Sequence, residues 1–448
     1  MSHTAEKKSV PLREIALGVV RRLQAAGHVA FWVGGCVRDQ LLGKEPCDYD
    51  IATSARPPEV EALFAHTVPV GRQFGVVVVI EGGHNLQVAT FRAESDYLDG
   101  RRPSHVTFAD AQADAVRRDF TVNGLFFDPV TSELHDWVEG RRDLEARVIR
   151  AIGDPRERFA EDHLRMLRAV RFAAQLGFTI DPATLAAVRE NVATIRTVSA
   201  ERVRDELLKL FRPPHAARGL ELLRDSGLLA EVLPEIAVME ACDQSPNYHP
   251  EGNVFRHVTL LLERLPADAA PSLPWAALLH DVAKPVTASV DSATGQIHFY
   301  GHENVGAEMA DAILQRLRFP RRQTEEIVAC VRLHMQFKDV RQMRKSTLNR
   351  LLLRTTFPLE LELHRLDCLA SNGDLANHQF LVEQQAELGR KPPLRPPLIT
   401  GADLIAMGLT EGPTLGKLLA EIREKQLLEE ITTAEAAHEF ARQRIAGK

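Results

Sequence analysis

Two carboxylates, Asp48 and Asp50, lie two positions apart in an apolar segment and are the residues of this chain best suited to chemistry. Residues i and i+2 of a strand point to the same face, so a strand here would project both carboxylates together. Such carboxylates repel each other unless a cation lies between them, and Mg2+ prefers oxygen ligands of this kind. The pair therefore predicts a catalytic magnesium site with both aspartates as ligands.

A glycine pair and an arginine precede the carboxylates at short range. Gly34 and Gly35 end an apolar run, and Arg38 follows within a short helix-like piece. Glycine lets a backbone approach a triphosphate without a Cβ in the way, and backbone N–H groups together with an arginine can hold phosphate oxygens. A lone Asp-x-Asp is more typical of a solvated strand end, but the whole stretch from Phe31 to Ala55 indicates metal-assisted nucleotidyl transfer.

This stretch closely resembles the signature of the class II nucleotidyltransferases, the family of tRNA CCA-adding enzymes and bacterial poly(A) polymerases. Residues 117–129, RRDFTVNGLFFDP, resemble the family's second motif. The resemblance implies that Arg118 lies near the triphosphate and Asp119 near the sugar hydroxyls. A carboxylate accepts hydrogen bonds from a ribose diol, which favours ribonucleotides over deoxyribonucleotides. Gly124 stands where the family usually has alanine, a change that removes no functional group.

Residues 92–116, between these two motifs, are polar and rich in turn formers, which predicts a surface loop. The resemblance implies a flexible loop that helps the enzyme reset for its last nucleotide. The presence of this segment favours terminal A addition over an enzyme that adds only CC.

A helix is predicted from Arg158 to Phe178, because apolar and charged residues both recur there at helical spacing. The apolar residues predict a buried stripe of Leu164, Leu167, Val170 and Ala174. The charged residues at i, i+3 spacing predict a second stripe of Asp162, Arg165, Arg168 and Arg171. Without further context, the second stripe is typical of ordinary surface ion pairs.

The pair Asp162 and Arg165 has the donors and acceptors needed to recognise two of the four bases. Cytosine and adenine present an amino donor beside a ring-nitrogen acceptor, so an aspartate can accept and an arginine can donate. Uracil and guanine present the reverse pattern. The segment matches the family's amino-acid template motif, which implies that Glu161, Asp162 and Arg165 select C and A, and that Arg168 and Arg171 complete the nucleotide and triphosphate contacts.

A second group of ligand-type residues follows in the order H…HD…H…H…D: His257, His280, Asp281, His302, His334 and Asp367. This order resembles the HD-domain metallophosphohydrolases. Imidazole and carboxylate suit a divalent transition metal, and the resemblance implies His257, His280, Asp281 and Asp367 as ligands of such an ion. An adjacent His-Asp can serve one or two ions, and the sequence leaves open whether the domain hydrolyses a substrate or is structural.

The patterns together predict an α+β fold with a mixed-sheet nucleotidyltransferase head followed by helical parts. The head covers residues 11–150, the helical neck with the nucleotide-selecting helix 151–214, the helical body with the HD domain 215–390, and the helical tail 391–448. Pro213-Pro214 and the stretch Pro392 to Pro397 mark two of these boundaries.

The 448-residue chain is 45% hydrophobic and 26% charged, which suits a multi-domain protein with sizeable cores. A net charge of −6 argues against a uniformly basic nucleic-acid coat but is compatible with a local basic face. No apolar run could span a bilayer, and residues 1–13 lack a signal-peptide core, so we expect a cytoplasmic protein without a membrane partner. The five scattered cysteines predict reduced thiols.

The reaction that this resemblance implies is template-independent addition of CCA to the 3′ end of tRNA from CTP and ATP, with Mg2+ as cofactor and pyrophosphate released. A poly(A) polymerase and an enzyme adding only A remain alternatives, although the mixed charge of the tail favours CCA addition. A third alternative is a hydrolase that works through its HD domain. No obligate protein partner is evident from the sequence.

Overall fold

The computed structural model describes residues 10–69, 75–97, 103–245, 252–390, 397–428 and 430–446. The chain forms two compact units, residues 1–237 and 238–448. Apart from Pro397, the predicted linker Pro392 to Pro397 lies outside the described residues. Among the helices that the structure describes, none is both long enough and apolar enough to cross a membrane.

The strands of the first unit are β1 (Ala30–Val33), β2 (Asp50–Thr53), β3 (Thr67–Val68), β4 (Val76–Glu81), β5 (His84–Thr90), β6 (Arg92–Tyr97), β7 (Pro103–Phe108), β8 (Phe126–Asp128), β9 (Glu133–His135), β10 (Val148–Ile149) and β11 (Thr179–Ile180). Seven of them form one sheet in the order β3-β4-β5-β2-β1-β8-β9. Only β2 and β5 pair in parallel within this sheet. The mixed-sheet head that the sequence predicted is therefore confirmed.

The helices of the first unit are α1 (Leu12–Ala25), α2 (Gly35–Leu41), α3 (Pro57–Leu63), α4 (Ala111–Val116), α5 (Gly140–Glu145), α6 (Pro155–Glu161), α7 (Arg165–Leu176), α8 (Pro182–Asn191), α9 (Ala200–Leu210), α10 (Ala216–Ser226), α11 (Leu228–Val232) and α12 (Pro234–Ala237). Short 3-10 helices cover Thr121–Asn123 and Val192–Thr197.

Alternation along β1 divides the core between the two faces of the sheet. Ala30 and Trp32 belong to the larger cluster, which α1 and α7 help to cover, and Phe31 and Val33 belong to a smaller cluster on the opposite face. Trp32 is only 1% exposed, and burying an apolar side chain of this size stabilises the fold by about 1.5–3 kcal/mol. Both clusters hold β1 in place, and β1 leads directly into the glycine turn.

Residues 92–116 differ from the predicted loop. Residues 92–97 and 103–108 form the antiparallel pair β6 and β7, residues 111–116 form helix α4, and residues 98–102 lie outside the described residues. A two-stranded ribbon does not require the alternation of apolar and polar residues by which strands are recognised in a sequence.

The nucleotide-selecting helix also differs from its prediction. The continuous helix expected from Arg158 to Phe178 is broken, since α6 ends at Glu161 and α7 begins at Arg165. Asp162 has an extended backbone, with φ −146° and ψ 102°, and its Oδ1 accepts from the backbone N–H of Leu164 at 3.1 Å. An aspartate that bonds nearby backbone competes with helix formation in this way. The predicted apolar stripe of α7 is nevertheless buried.

Gly140, the first residue of α5, lies against the turn that contains Asn123. A Cβ at Gly140 would lie 2.2 Å from the backbone oxygen of Thr121 and 3.0 Å from a methyl group of Leu125. Real Cβ atoms do not approach so closely, so only glycine fits at this position.

The second unit contains β12 (Ser289–Val290) and β13 (Ile297–His298), and the helices α13 (Val254–Glu263), α14 (Leu273–Leu279), α15 (Lys284–Thr287), α16 (His302–Arg316), α17 (Arg321–Leu333), α18 (Lys345–Leu352), α19 (Phe357–Ala370), α20 (Ala376–Arg390), α21 (Gly401–Ala406), α22 (Pro413–Leu427) and α23 (Ala434–Ala446). Further 3-10 helices cover Val238–Ala241 and His334–Gln342. The sequence predicted a helical neck and body. The structure differs in that three short strands, β11, β12 and β13, lie among the described residues of these parts.

Candidate functional site

The carboxylate pair lies where β2 begins, beside the glycine turn. Strand β2 starts at Asp50, so Asp48 precedes the strand rather than belonging to it as predicted, and both side chains are exposed. Antiparallel pairing places Val33 of β1 opposite Asp50. Gly34 follows with φ 71°, a left-handed conformation that glycine adopts without strain. The register of two strands therefore brings the glycine turn and the carboxylates together.

The electrostatics of the pair suit a cation. Partial desolvation raises the pKa of Asp50, the charge of Asp48 raises it further, and Arg118 acts in the opposite direction. A divalent ion between the two carboxylates would offset the repulsion of their charges, and exposed carboxylate oxygens are the ligands that Mg2+ prefers. The chemistry of this donor set therefore fits Mg2+.

Arg38 is engaged with protein groups in this structure. The residue is 8% exposed, its Nη1 donates to Asn123 Oδ1 at 2.6 Å, and its Nε donates to Asp39 at 2.9 Å. The structure thus places Arg38 behind the glycine turn, with its guanidinium fixed by the Asn123 amide. A phosphate contact from Arg38 would require it to exchange one of these bonds.

Asp119 is the centre of the next group of contacts. Its Oδ1 accepts from Asn123 Nδ2 at 3.1 Å and from the backbone N–H of Phe120 at 2.8 Å. Its Oδ2 accepts from Arg168 Nε at 2.8 Å and Nη2 at 2.7 Å. Burial opposes the ionisation of Asp119, but Arg168 and Asn123 outweigh burial and lower its pKa to about 2. Asp119 therefore remains a carboxylate at neutral pH, and a ribose hydroxyl would add to, or replace, one of these donors.

Arg168 and Arg171 of α7 share a second buried carboxylate, that of Glu206 on α9. Arg171 Nε lies 2.5 Å from Glu206 Oε2, and Arg168 Nη1 lies 3.6 Å from Glu206 Oε1. The Arg171 side chain is 8% exposed. In this structure Arg171 is therefore bound to Glu206, whereas Arg168 connects α7 to the Asp119 segment.

The two residues expected to read the base have fixed partners. Arg202 Nη2 of α9 donates to Asp162 Oδ2 at 2.7 Å. Arg165 Nη1 donates to Glu161 Oε2 at 2.5 Å, and its Nη2 donates to the backbone oxygen of Arg117 at 3.1 Å. The break between α6 and α7 therefore holds the carboxylate and the guanidinium in defined positions. Such fixed groups can discriminate bases through their hydrogen bonds.

Arg118 is held by a residue that the motif analysis did not single out. Asp114 Oδ2 accepts from Arg118 Nη2 at 3.1 Å, and Arg118 lies over the Phe126 ring at 4.9 Å. Sequence reasoning could have found Asp114, since it precedes Arg118 by four residues in a helical stretch. Asn123, Glu206 and Arg202 were not assigned either. Their contacts with Arg38, Arg171 and Asp162 join residues too far apart in sequence for a spacing rule to reveal them.

The second unit brings together all six residues of the H…HD…H…H…D order. They come from α13, the end of α14, the start of α16, the end of α17 and α19. Two groups have ligand atoms within 4.8 Å of one another: His257, His280 and Asp367, and Asp281, His302 and His334. Asp281 lies between them, with Oδ2 3.1 Å from His280 Nε2 and Oδ1 3.4 Å from His302 Nε2.

Three imidazoles of this cluster have the ring orientation that metal ligation requires. The Nδ1 atoms of His280, His302 and His334 lie 2.9, 2.8 and 2.6 Å from the backbone oxygens of Ala277, Phe299 and Val331. A backbone carbonyl accepts only from N–H, so each Nδ1 carries a proton and each neutral ring presents an Nε2 lone pair to the cluster. Nitrogen and carboxylate donors in this arrangement fit a divalent transition metal.

The side-chain ammonium group of Lys284 places a positive charge next to the cluster. Its Nζ lies 2.7 Å from Asp281 Oδ2 and donates to Gln244 Oε1 at 2.6 Å. Burial opposes the ionisation of Asp281, but His280 and Lys284 together lower its pKa well below the usual range. Asp281 is therefore a carboxylate whose two oxygens face two different groups of ligands.

Three family models match successive parts of this chain. Residues 30–150 match the Poly A polymerase head domain. Residues 177–239 match the family described as a probable RNA and SrmB binding site of polymerase A, and residues 253–370 match the HD domain.

Two curated relatives and one solved structure are described as CCA-adding enzymes. A CCA-adding enzyme of Geobacillus is 47% identical over 214 residues, which cover 48% of this chain and 53% of the relative. A CCA-adding enzyme of Latilactobacillus sakei is 40% identical over 281 residues, covering 61% and 70%. The match to the first of these relatives spans only about half of its length. The crystal structure of the Bacillus stearothermophilus CCA-adding enzyme in complex with CTP aligns with a TM-score of 0.75 at 28% identity, covering 98% of this chain and all of that one.

Proposed function

Because the chain belongs to the family of CCA-adding enzymes, we propose that it is a template-independent nucleotidyltransferase that adds CMP, CMP and AMP to the 3′ end of tRNA. Two hydrogen bonds support this proposal most directly, because they join the segment expected to select the base to the segment expected to bind the triphosphate and the ribose. Arg165 donates to the backbone oxygen of Arg117, and Arg168 donates to Asp119, so the base-selecting segment is attached directly to the segment assigned to triphosphate and ribose.

Each residue of the site has a defined task in this reaction. Asp48 and Asp50 would hold Mg2+, which lowers the pKa of the attacking tRNA hydroxyl and screens phosphate charge. The Gly34-Gly35 turn leaves room for the triphosphate, and Arg118 faces it. Pyrophosphate leaves as the 3′ oxygen bonds to the α-phosphate.

Base choice would come from Asp162 and Arg165. Asp162 accepts from the amino group of cytosine or adenine, and Arg165 donates to the neighbouring ring nitrogen. Uracil and guanine would present a carbonyl to the carboxylate and a ring N–H to the guanidinium, and both contacts are unfavourable. Asp119 and Arg168 hold the sugar side, with Arg38 and Arg171 as further nucleotide-binding groups. We expect this activity in the cytoplasm, where tRNA and nucleoside triphosphates occur.

One assay tests the proposal. Purified protein is given a tRNA that lacks its CCA end, with each nucleoside triphosphate singly and all together, and the products are sequenced. CCA ends from CTP and ATP support the proposal. Addition of A alone, or of long A tracts to unrelated RNA, would replace it with an A-only enzyme or a poly(A) polymerase.

The HD cluster supports a second proposal, metal-dependent phosphohydrolysis in the body. Its ligand set includes His257, His280, Asp281 and Asp367, and the two ligand groups meet at Asp281. The test is metal-dependent release of phosphate from small phosphate esters by the protein loaded with Mn2+, Ni2+ or Co2+.

We also propose that the chain divides into head, neck, body and tail after residues 150, 214 and 390.

A further inference from the structure

The buried carboxylate of Asp114 holds both arginines of the Arg117–Arg118 pair. Its side chain is 2% exposed. Arg117 donates to Oδ1 from Nε at 2.9 Å and from Nη2 at 2.6 Å. Arg118 donates to Oδ2 from Nε at 3.4 Å and from Nη2 at 3.1 Å. Each carboxylate oxygen therefore accepts hydrogen bonds from one guanidinium, and the two neighbouring cations are fixed in position relative to each other.

Arg118 connects Asp114 to the triphosphate side of the site. Its Nη1, which makes no bond to Asp114, lies 3.4 Å from the backbone oxygen of Asn123 and 3.0 Å from the position that a Cβ on Gly34 would take. Arg118 also acts electrostatically on Asp50. The guanidinium therefore lies against the glycine turn and influences Asp50, one of the two carboxylates proposed to bind the metal.

Arg117 connects the same carboxylate to the base-selecting side. The backbone oxygen of Arg117 accepts from Arg165 Nη2 at 3.1 Å. A third connection leads to the β6–β7 ribbon, because the backbone N–H of Arg92, at the start of β6, donates to Asp114 Oδ1 at 3.3 Å. Asp114 is thus the point at which three parts of the head and neck meet.

We propose that Asp114 is a positioning residue that couples triphosphate binding to base selection. The inference rests on the proposed function and adds a residue that contacts neither base nor phosphate. Without its negative charge, Arg117 and Arg118 would repel each other, because they lie side by side in a partly buried site. Arg118 would then leave the glycine turn, and the carbonyl that holds Arg165 would move with Arg117.

The test compares Asp114→Asn with Arg118→Ala in single-nucleotide incorporation on a tRNA that lacks its CCA end. Asp114→Asn should raise KM for CTP and ATP roughly tenfold or more, since charge-assisted hydrogen bonds are lost, and should also raise UMP and GMP incorporation relative to CMP and AMP. KM for the tRNA should not change. Arg118→Ala, which leaves the Asp114–Arg117 contact intact, should raise KM for the nucleotides without relaxing base choice.

The control is Glu360→Gln in the second unit. Glu360 is also a buried carboxylate held by an arginine, with Arg354 Nη1 at 3.1 Å. This variant should lose stability without any change in nucleotide KM or base choice. Wild-type KM and base preference in Asp114→Asn, measured at equal folded fraction, would overturn the inference.

Two further measurements keep this result separate from the proposed function. Calorimetry of CTP binding without tRNA tests the positioning of Arg118 even if the protein adds no CCA. The affinity for CTP should fall about tenfold in Asp114→Asn.

If that variant does not fold, Asp114→Glu retains the charge but displaces both guanidiniums by one methylene, so it should still relax base choice. A wild-type profile for Asp114→Glu would then overturn the inference. Wild-type protein that binds CTP but leaves tRNA unextended would instead overturn the proposed function.

Discussion

The Nε2 atoms of His302 and His334 lie 3.1 Å apart, and each ring donates its Nδ1 proton to a backbone carbonyl. Two nitrogen lone pairs therefore face each other at hydrogen-bond distance. In neutral rings neither nitrogen has a proton to share, so the arrangement is repulsive unless a cation lies between them or one ring is protonated. Asp281 Oδ1 lies 3.4 Å from His302 Nε2 and 3.8 Å from His334 Nε2, which adds an anionic ligand.

Metal loading should therefore stabilise the protein through this cluster. Mn2+ at about 100 times its Kd should increase the free energy of unfolding by about 2.7 kcal/mol, measured by chemical denaturation with and without a chelator. His302→Ala should remove most of this gain. His298→Ala, which changes a half-buried histidine outside the cluster, should keep it. Equal gains in both variants would contradict a metal site at His302.

Loss of either carboxylate at the start of β2 should abolish nucleotide incorporation. Asp48→Ala and Asp50→Ala each remove a magnesium ligand, and we expect at least a roughly 100-fold loss of rate, as for other electrostatic groups that act on the transition state. The measurement is incorporation of CMP at saturating CTP. Glu45→Ala removes a nearby exposed charge and should remain active. Near-normal rates in both aspartate variants would exclude this metal assignment.

Base choice should depend on Arg165 and Asp162. Arg165→Ala leaves an acceptor of the bound base unpaired, which costs about 1–3 kcal/mol, so use of CTP and ATP should weaken and rejection of UTP and GTP should relax. Asp162→Ala should act in the same direction. Arg196→Ala, which breaks an exposed ion pair with Glu231, serves as the control. If both site variants keep the wild-type preference for C and A, selectivity must have another source.

Asp119 should contribute to stability above acidic pH. Its folded pKa of about 2 lies below the ordinary value of 3.8, so its contribution is complete above about pH 4 and is lost as the pH falls through about 2. The difference corresponds to about 2 kcal/mol. Asp119→Asn should therefore be destabilised by about that amount at pH 7, and the gap to wild type should close as the pH approaches 2.

Urea unfolding followed across this pH range measures the effect. Glu190→Gln, in an exposed pair with Arg156, should change stability much less because solvent screens the pair. A constant gap between Asp119→Asn and wild type at all pH values would show that the ionisation of Asp119 is not the cause.

The sequence could predict what depends on local pattern. The apolar run that ends at Gly34 and the apolar stripe of α7 are visible in residue order, and β1 and α7 are both present. The break before Arg165 was missed because apolar periodicity continues across it, while the competing hydrogen bond of Asp162 leaves no trace in hydrophobicity. The order of strands in the sheet depends on pairings across dozens of residues, which periodicity does not encode.

The candidate sites show the same limit. Residue types identified Asp162 and Arg165, but the contact of Arg202 with Asp162 and that of Arg165 with the Arg117 backbone form only when separate elements pack. The order of histidines and aspartates indicated a metal cluster. Only the packing of the helices brings His302 and His334 face to face at 3.1 Å.

A substitution of Gly140 would affect nucleotide binding indirectly. Because a side chain there would collide with the Thr121 carbonyl, the Thr121–Asn123 turn would have to move, and Asn123 holds both Arg38 and Asp119. An allele with alanine at position 140 would then be scored as a nucleotide-binding defect, although the altered residue touches no nucleotide.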